Sequence, residues 1–121
     1  MRGLRESLIE LIRRTSAEIP DDVQRGILRG LEQEKEGTIA KSALEIIEKN
    51  IELAKRKSQP LCQDTGSILF YVDCPVGLNQ VEFEAEARDA VVEATKRGYL
   101  RQNSVDSVSY THLTLPTKRI V

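Results

Sequence analysis

Three amphipathic stripes in the first 57 residues, each bounded by its own punctuation, constrain the fold of this chain more than any other feature. Leu4, Leu8, Leu11 and Ile12 recur at helical spacing with charges on the opposite face, so roughly the first sixteen residues read as an amphipathic helix. Ile19-Pro20-Asp21-Asp22 breaks that helix and starts another, with Pro near the first helical position and carboxylates complementing the positive end of the helix dipole. Val23, Ile27, Leu28 and Leu31 give the second helix its expected buried face. Gly37 ends the charged run that follows, and Thr38 can cap a third helix with the stripe Ala40, Ala43, Leu44, Ile47, Ile51 and Ala54. That helix closes in Lys55-Arg56-Lys57, as a C-terminal dipole prefers.

Beyond Pro60 the period changes. Ser67-Ile68-Leu69-Phe70-Tyr71-Val72-Asp73 is an apolar, β-branched and aromatic run between Gly66 and Pro75, which predicts a buried strand. A turn at Pro75-Val76-Gly77 would lead to a second extended piece near Asn79 to Glu82, its hairpin partner. Phe83, Ala87, Ala90, Val91 and Ala94 then mark a fourth helix, terminated by Lys96-Arg97-Gly98. With 4% aromatic residues and no Trp, the core must be built from Leu, Ile, Val and Ala, which suits packed helices. The expected fold class is α+β: an N-terminal helical bundle, a short β-hairpin and a further helix.

Charge and cysteine usage narrow the function classes. Eighteen basic and nineteen acidic residues leave a net charge of −1, too little to steer a polyanion, so nucleic acid is not an expected partner. Apolar runs are short and interrupted by charge, which argues against a membrane span, and Glu6 and Glu10 fall where a signal peptide would be apolar. A cytoplasmic, reducing location is therefore expected. There Cys62 and Cys74 would be thiols, metal ligands or core residues rather than a disulfide, and they are too few for a zinc site.

The tail has another character. All 19 acids precede Ser107, and residues 108–117 resemble one reading frame of a transposase-end sequencing adapter. Residues 1–106 are therefore expected to be the genuine unit and 107–121 a non-native tail. The single histidine, His112, falls in that tail and is given no catalytic or metal role.

One loop carries chemistry. Between the third helix and the expected strand, Cys62-Gln63-Asp64-Thr65-Gly66 places a thiol, an amide, a carboxylate and a hydroxyl in consecutive positions ending in Gly. Thiolate is the ligand of iron–sulfur clusters, Gln and Asp can hold a carboxylate and move protons, and Gly lets backbone N–H groups approach an anion. The bland alternative is an Asx or ST turn at a helix–strand junction, with Cys62 buried as a small hydrophobe.

Pro60-Leu61-Cys62-Gln63-Asp64-Thr65-Gly66 resembles the first cluster-ligand motif of class I fumarases and the related tartrate dehydratases. The context is similar too: a helical N-terminal region, an Ile/Val-rich run after the Gly, a helix, then Gly98-Tyr99-Leu100-Arg101 and Asn103-Ser104-Val105. The likeness spans essentially residues 1–106 and implies a fragment of a larger hydro-lyase α domain. It implies that Cys62 is one of three thiolates holding a [4Fe–4S] cluster whose open iron serves as a Lewis acid. By the same resemblance, Gln63 contacts a substrate carboxylate, Asp64 is the catalytic residue beside the cluster that also binds substrate, and Arg101 pairs with a substrate carboxylate as a fork. The bland alternative for Arg101 is a solvated side chain at a helix end, serving the C-terminal dipole. The implied partners are a C4 dicarboxylate, the C-terminal part that carries the other ligands, a β subunit and further copies in an oligomer.

Fumarate is the expected substrate, with tartrate as the alternative. The other two cluster cysteines of the family are absent, and Cys74 matches none of them and is expected to pack in the core. The chain alone is therefore expected to be inactive. Two rivals come from other classes. Asp64-Thr65-Gly66-Ser67 before an apolar run is the local signature of an aspartic protease, but such enzymes are strand-rich and pair two carboxylates, whereas here amphipathic helices precede the motif. A non-catalytic helical interaction module with an incidental thiol is the other.

Overall fold

The computed structural model describes residues 3–61 and 68–101. Four helices follow in order: α1 (Leu4–Ala17), α2 (Asp21–Gln33), α3 (Ile39–Lys57) and α4 (Gln80–Lys96). None of them is long and apolar enough to cross a membrane.

The core lies between the first and last helices. Leu8, Ile9 and Ile12 of α1 meet Ala87, Ala90, Val91 and Ala94 of α4, with Leu100 closing one end. Ala90 and Ala94 are wholly buried, and the absence of longer side chains there lets α1 approach closely. Ile9 is 2% exposed, and burying such a side chain is worth about 1.5–3 kcal/mol. The expected stripe of α1 holds at Leu8 and Ile12 and differs at its edges: Ile9 is buried, whereas Leu11 is 54% exposed. Both lie on one apolar arc, and the position of α4 decides between them.

The ends of α4 are fixed by local chemistry. Asn79 is its N-cap, its side-chain oxygen accepting the Glu82 backbone N–H at 3.1 Å. At the other end Tyr99 N–H donates to the Ala94 carbonyl and Gly98 N–H to that of Thr95, with Gly98 at φ 85°. This is a Schellman stop, which a left-handed glycine makes without strain.

The β-hairpin expected over 67–82 is absent: no strand or sheet occurs among the described residues. Residues 68–71 do show the two-residue alternation of a strand, since Ile68 and Phe70 pack on the core while Leu69 and Tyr71 face outward. Among the described residues no second extended segment pairs with them, because Asn79 commits residues 80–82 to the first turn of α4. The turn itself forms, with Leu78 N–H donating to the Pro75 carbonyl and Gly77 at φ 91°. It hands the chain to a helix instead of a strand. Cys74, expected in the core, is exposed in this connection. The α+β expectation is thus replaced, among the described residues, by a helical arrangement with an extended strap.

Helices α2 and α3 form a thinner hairpin. Thr38 caps α3 as expected, accepting the Lys41 N–H at 3.2 Å. Lys41 in turn sends its Nζ to the Leu31 carbonyl at 2.5 Å, supplying at the end of α2 the positive charge that α2 lacks in its last turn. The expected apolar faces are only partly covered: Leu31, Ile51 and Ala54 are buried, but Val23, Leu28 and Ile47 are exposed.

Candidate functional site

The positions singled out from the sequence divide in two. Cys62, Gln63, Asp64, Thr65 and Gly66 lie outside the described residues, whereas Arg101 and both flanks of the loop lie within them.

The approach to the loop is built by the C-terminal ends of α1 and α3. Ser58 ends α3 in the left-handed region, φ 50° and ψ 50°, and Gln59 N–H donates back to the Ala54 carbonyl at 3.1 Å. The chain reverses there and enters Pro60, whose ring fixes its φ. Leu61 N–H then donates to the Ser16 carbonyl on α1 at 2.9 Å, and the Leu61 carbonyl accepts from Asn50 Nδ2 on α3 at 3.2 Å. Both backbone polar groups of the residue before Cys62 are therefore held. On the far side, Ile68 and Phe70 pack against the α1–α4 core.

A cavity of about 650 Å³ opens between these flanks and α1. Its apolar walls include Leu11, Ile12, Leu61, Ile68, Phe70 and Leu100, while Thr15, Ser16 and Glu18 bring polar groups to its edge. Leu100 both lines this cavity and belongs to the core, so its covalent neighbour Arg101, which is exposed, stands one residue from the cavity wall. The sequence-predicted Arg101 and the two ends of the Cys62 loop thus converge on one end of the α1–α4 pair.

A charge network surrounds the end of α1. Arg13 bonds Glu10 at 2.7 Å and reaches Glu18 at 3.2 Å, and Arg14 bonds Glu10 at 3.0 Å. The hydrogen bonds from Arg13 and then Arg14 hold the Glu10 carboxyl well below the usual carboxylate range, at about 2, and the bond to Glu10 raises the Arg13 guanidinium. Lys55 at 4.0 Å from Glu18, and Arg13 donating to Ser58 Oγ at 3.4 Å, tie this end of α1 to the end of α3.

No group of three His, Cys, Asp or Glu side chains that could hold a metal ion occurs among the described residues. Cys74 faces solvent. Sequence reasoning missed the anchors Ser16 and Asn50, because each contacts Leu61 only through the tertiary arrangement.

Comparison with known proteins agrees with the resemblance read from the loop. The sequence profile of the family described as Fumarate hydratase (Fumerase) matches residues 5–114. A protein of Geobacillus stearothermophilus named as a class I fumarate hydratase is 43% identical over 109 residues, covering 90% of this chain and 21% of that protein. An L(+)-tartrate dehydratase subunit alpha from Methanocaldococcus jannaschii is 30% identical over 101 residues, covering 81% of this chain and 35% of that subunit. The chain thus spans about a fifth and a third of the length of these two relatives.

Proposed function

The chain belongs to the fumarate hydratase family, and from that premise we propose that it is the N-terminal part of a [4Fe–4S]-dependent hydro-lyase that interconverts fumarate and malate. The observation that carries this reading is the match over residues 5–114, which encloses a loop of one thiol, one amide and one carboxylate with both flanks anchored to the helical core. Cys62 supplies one thiolate, and its remaining partners come from the longer protein. When bound, the cluster supplies Lewis acidity toward the substrate's carboxylate and hydroxyl.

The chain's own residues do the positioning. Gln63 donates its amide N–H groups to a substrate carboxylate, and Arg101 holds a carboxylate as a planar fork beside the cavity. Asp64 moves the proton as water adds across, or leaves from, the substrate's C2–C3 bond. The apolar walls near Leu61, Ile68 and Leu100 lower the local dielectric at that end of α1, which strengthens each charged contact. The parent acts as an oligomer with a β subunit or a fused equivalent, in the cytoplasm.

Tartrate is the second reading, favoured by the similarity to the M. jannaschii subunit, whose name gives both that substrate and a subunit division. A protein carrying this region within the Geobacillus relative, reconstituted anaerobically, separates the two. Iron and sulfide should be incorporated, and fumarate should turn over faster than L-tartrate. Incorporation that survives Cys62→Ser would sink the cluster reading, and faster turnover of tartrate would reassign the substrate.

A further inference from the structure

We propose that the outer stripe of α3 is the face on which the remainder of a longer polypeptide docks, an inference that rests on the reading of this chain as part of a longer hydro-lyase. Helix α3 (Ile39–Lys57) carries two apolar stripes. One faces inward: Leu44 lies against Gly30 of α2, and Ile51 and Ala54 are buried. The second runs beside it through Ile39, Ala43, Ile46 and Leu53, which share one side of a helix of 3.6 residues per turn. Ile39 is 90% exposed, Ile46 67% and Leu53 39%, with Ala43 exposed between them. Together the stripes make about half of the helix circumference apolar, whereas a helix packed on one neighbour needs a face of only roughly 100°. Among the described residues no element covers the outer stripe.

Area and length identify the occupant. At their observed exposures the side chains of this stripe offer roughly 300 Å² of apolar surface. That falls short of the apolar share of the roughly 800 Å² that each partner gives to a stable interface between separate molecules. A second copy would therefore be held weakly by this stripe. A segment of the same polypeptide needs less area, because the connecting chain sets its local concentration. Both relatives carry further chain of this kind. The matched region is 21% of the Geobacillus protein and 35% of the M. jannaschii subunit, so most of each lies outside it.

The test compares Ile46→Lys with Glu45→Lys, which puts the same side chain one position away on the charged face, in two settings. In the 121-residue chain both should shift the melting temperature by no more than about 3 °C, because both positions are exposed. In the chimera that carries this region within the Geobacillus relative, Ile46→Lys should lower it by at least about 6 °C or leave the protein insoluble. Glu45→Lys should do neither, and the milder Ile46→Ala should fall between. Equal stability of the two lysine chimeras overturns the proposal. So does an unsubstituted chimera that fails to fold, because the stripe then fails to meet the remainder. Unfolding of the 121-residue chain by Ile46→Lys would make the stripe part of this chain's own core. A dimer in light scattering that Ile46→Lys turns into a monomer would make a second copy the occupant. Either result also overturns the proposal. Bound iron in the same chimeras judges the hydro-lyase reading separately: a stable chimera without iron defeats the cluster and leaves the melting temperatures to decide the stripe.

Discussion

Arg5 on α1 donates its Nε–H to the carboxylate of Asp89 on α4 at 2.5 Å, joining two helices that lie at opposite ends of the described chain. The same guanidinium reaches Glu93 at 3.5 Å, and Glu6 and Arg97 make a second cross-helix pair at 3.5 Å. These contacts rim the buried Ala90 and Ala94 seam, but they stand in solvent, where each ion pair contributes little. Arg5→Ala should lower the melting temperature slightly, and the difference from the parent chain should shrink in 1 M salt. A difference independent of salt would show that packing of the arginine stem, not charge, is what was lost.

Acid should weaken the chain through Glu10. Its folded-state carboxyl sits at about 2, below its ordinary value of 4.5, because Arg13 and Arg14 hydrogen-bond the ionised form. A carboxyl depressed on folding adds stability that is complete above its unfolded value and is lost as pH falls toward the folded one. The Glu10 contribution should therefore fade between about pH 4.5 and pH 2, with solvent screening limiting its size. Urea midpoints across that window should fall less steeply for Glu10→Gln than for the parent chain.

Ser58 occupies the left-handed region at φ 50°, a conformation that costs an L residue about 1–2 kcal/mol. Ser58→Gly removes that strain, loses the long contact from Arg13, and admits more freedom in the unfolded chain. The net expectation is a gain of up to about 1 kcal/mol in thermal or urea unfolding. Ser58→Ala, which keeps the Cβ, should give no gain.

The register of α1 can be checked by paired truncations. Ile9→Ala opens a hole beneath Val91 and Ala90 and should cost about 2–5 kcal/mol. Leu11→Ala, at a side chain 54% exposed, should stay within about 0.5 kcal/mol. Equal losses in urea unfolding would mean that α1 is rotated from the packing described.

Gly30 faces Leu44 across the α2–α3 hairpin, and an added Cβ would lie 3.5 Å from Leu44 Cδ1, an ordinary contact. Gly30→Ala should therefore stabilise the chain by up to about 1 kcal/mol through helix propensity. Destabilisation would place the two helices closer together than this.

Helix positions were legible where the signal was local. Pro20, Thr38 and Gly98 mark boundaries through bonds within a few residues, and the α4 stripe from Ala87 to Ala94 is visible in the spacing alone. What failed depended on distant neighbours. Residues 68–73 have the composition of a strand, but a strand exists only beside another, and Asn79 had already turned the would-be partner into helix. Likewise nothing near Cys74 in the chain says that its connection stays on the surface. For the candidate site, the Cys62 motif announced a family, whereas the residues that fix its approach, Ser16 and Asn50, lie far away in sequence and look like ordinary polar positions.

The pairing of the first helix with the last also dictates an order of events during synthesis. The α2–α3 hairpin can close over a short connection as soon as it has been made, but α1 must wait for α4, roughly sixty residues later, to cover Leu8, Ile9 and Ile12. Through that interval the nascent chain carries an amphipathic helix with its apolar face uncovered, a state that invites chaperone binding or aggregation. A stop before α4 would leave the Cys62 loop tethered to α3 with no finished core behind it, so interruption upstream of Gln80 should yield an insoluble product.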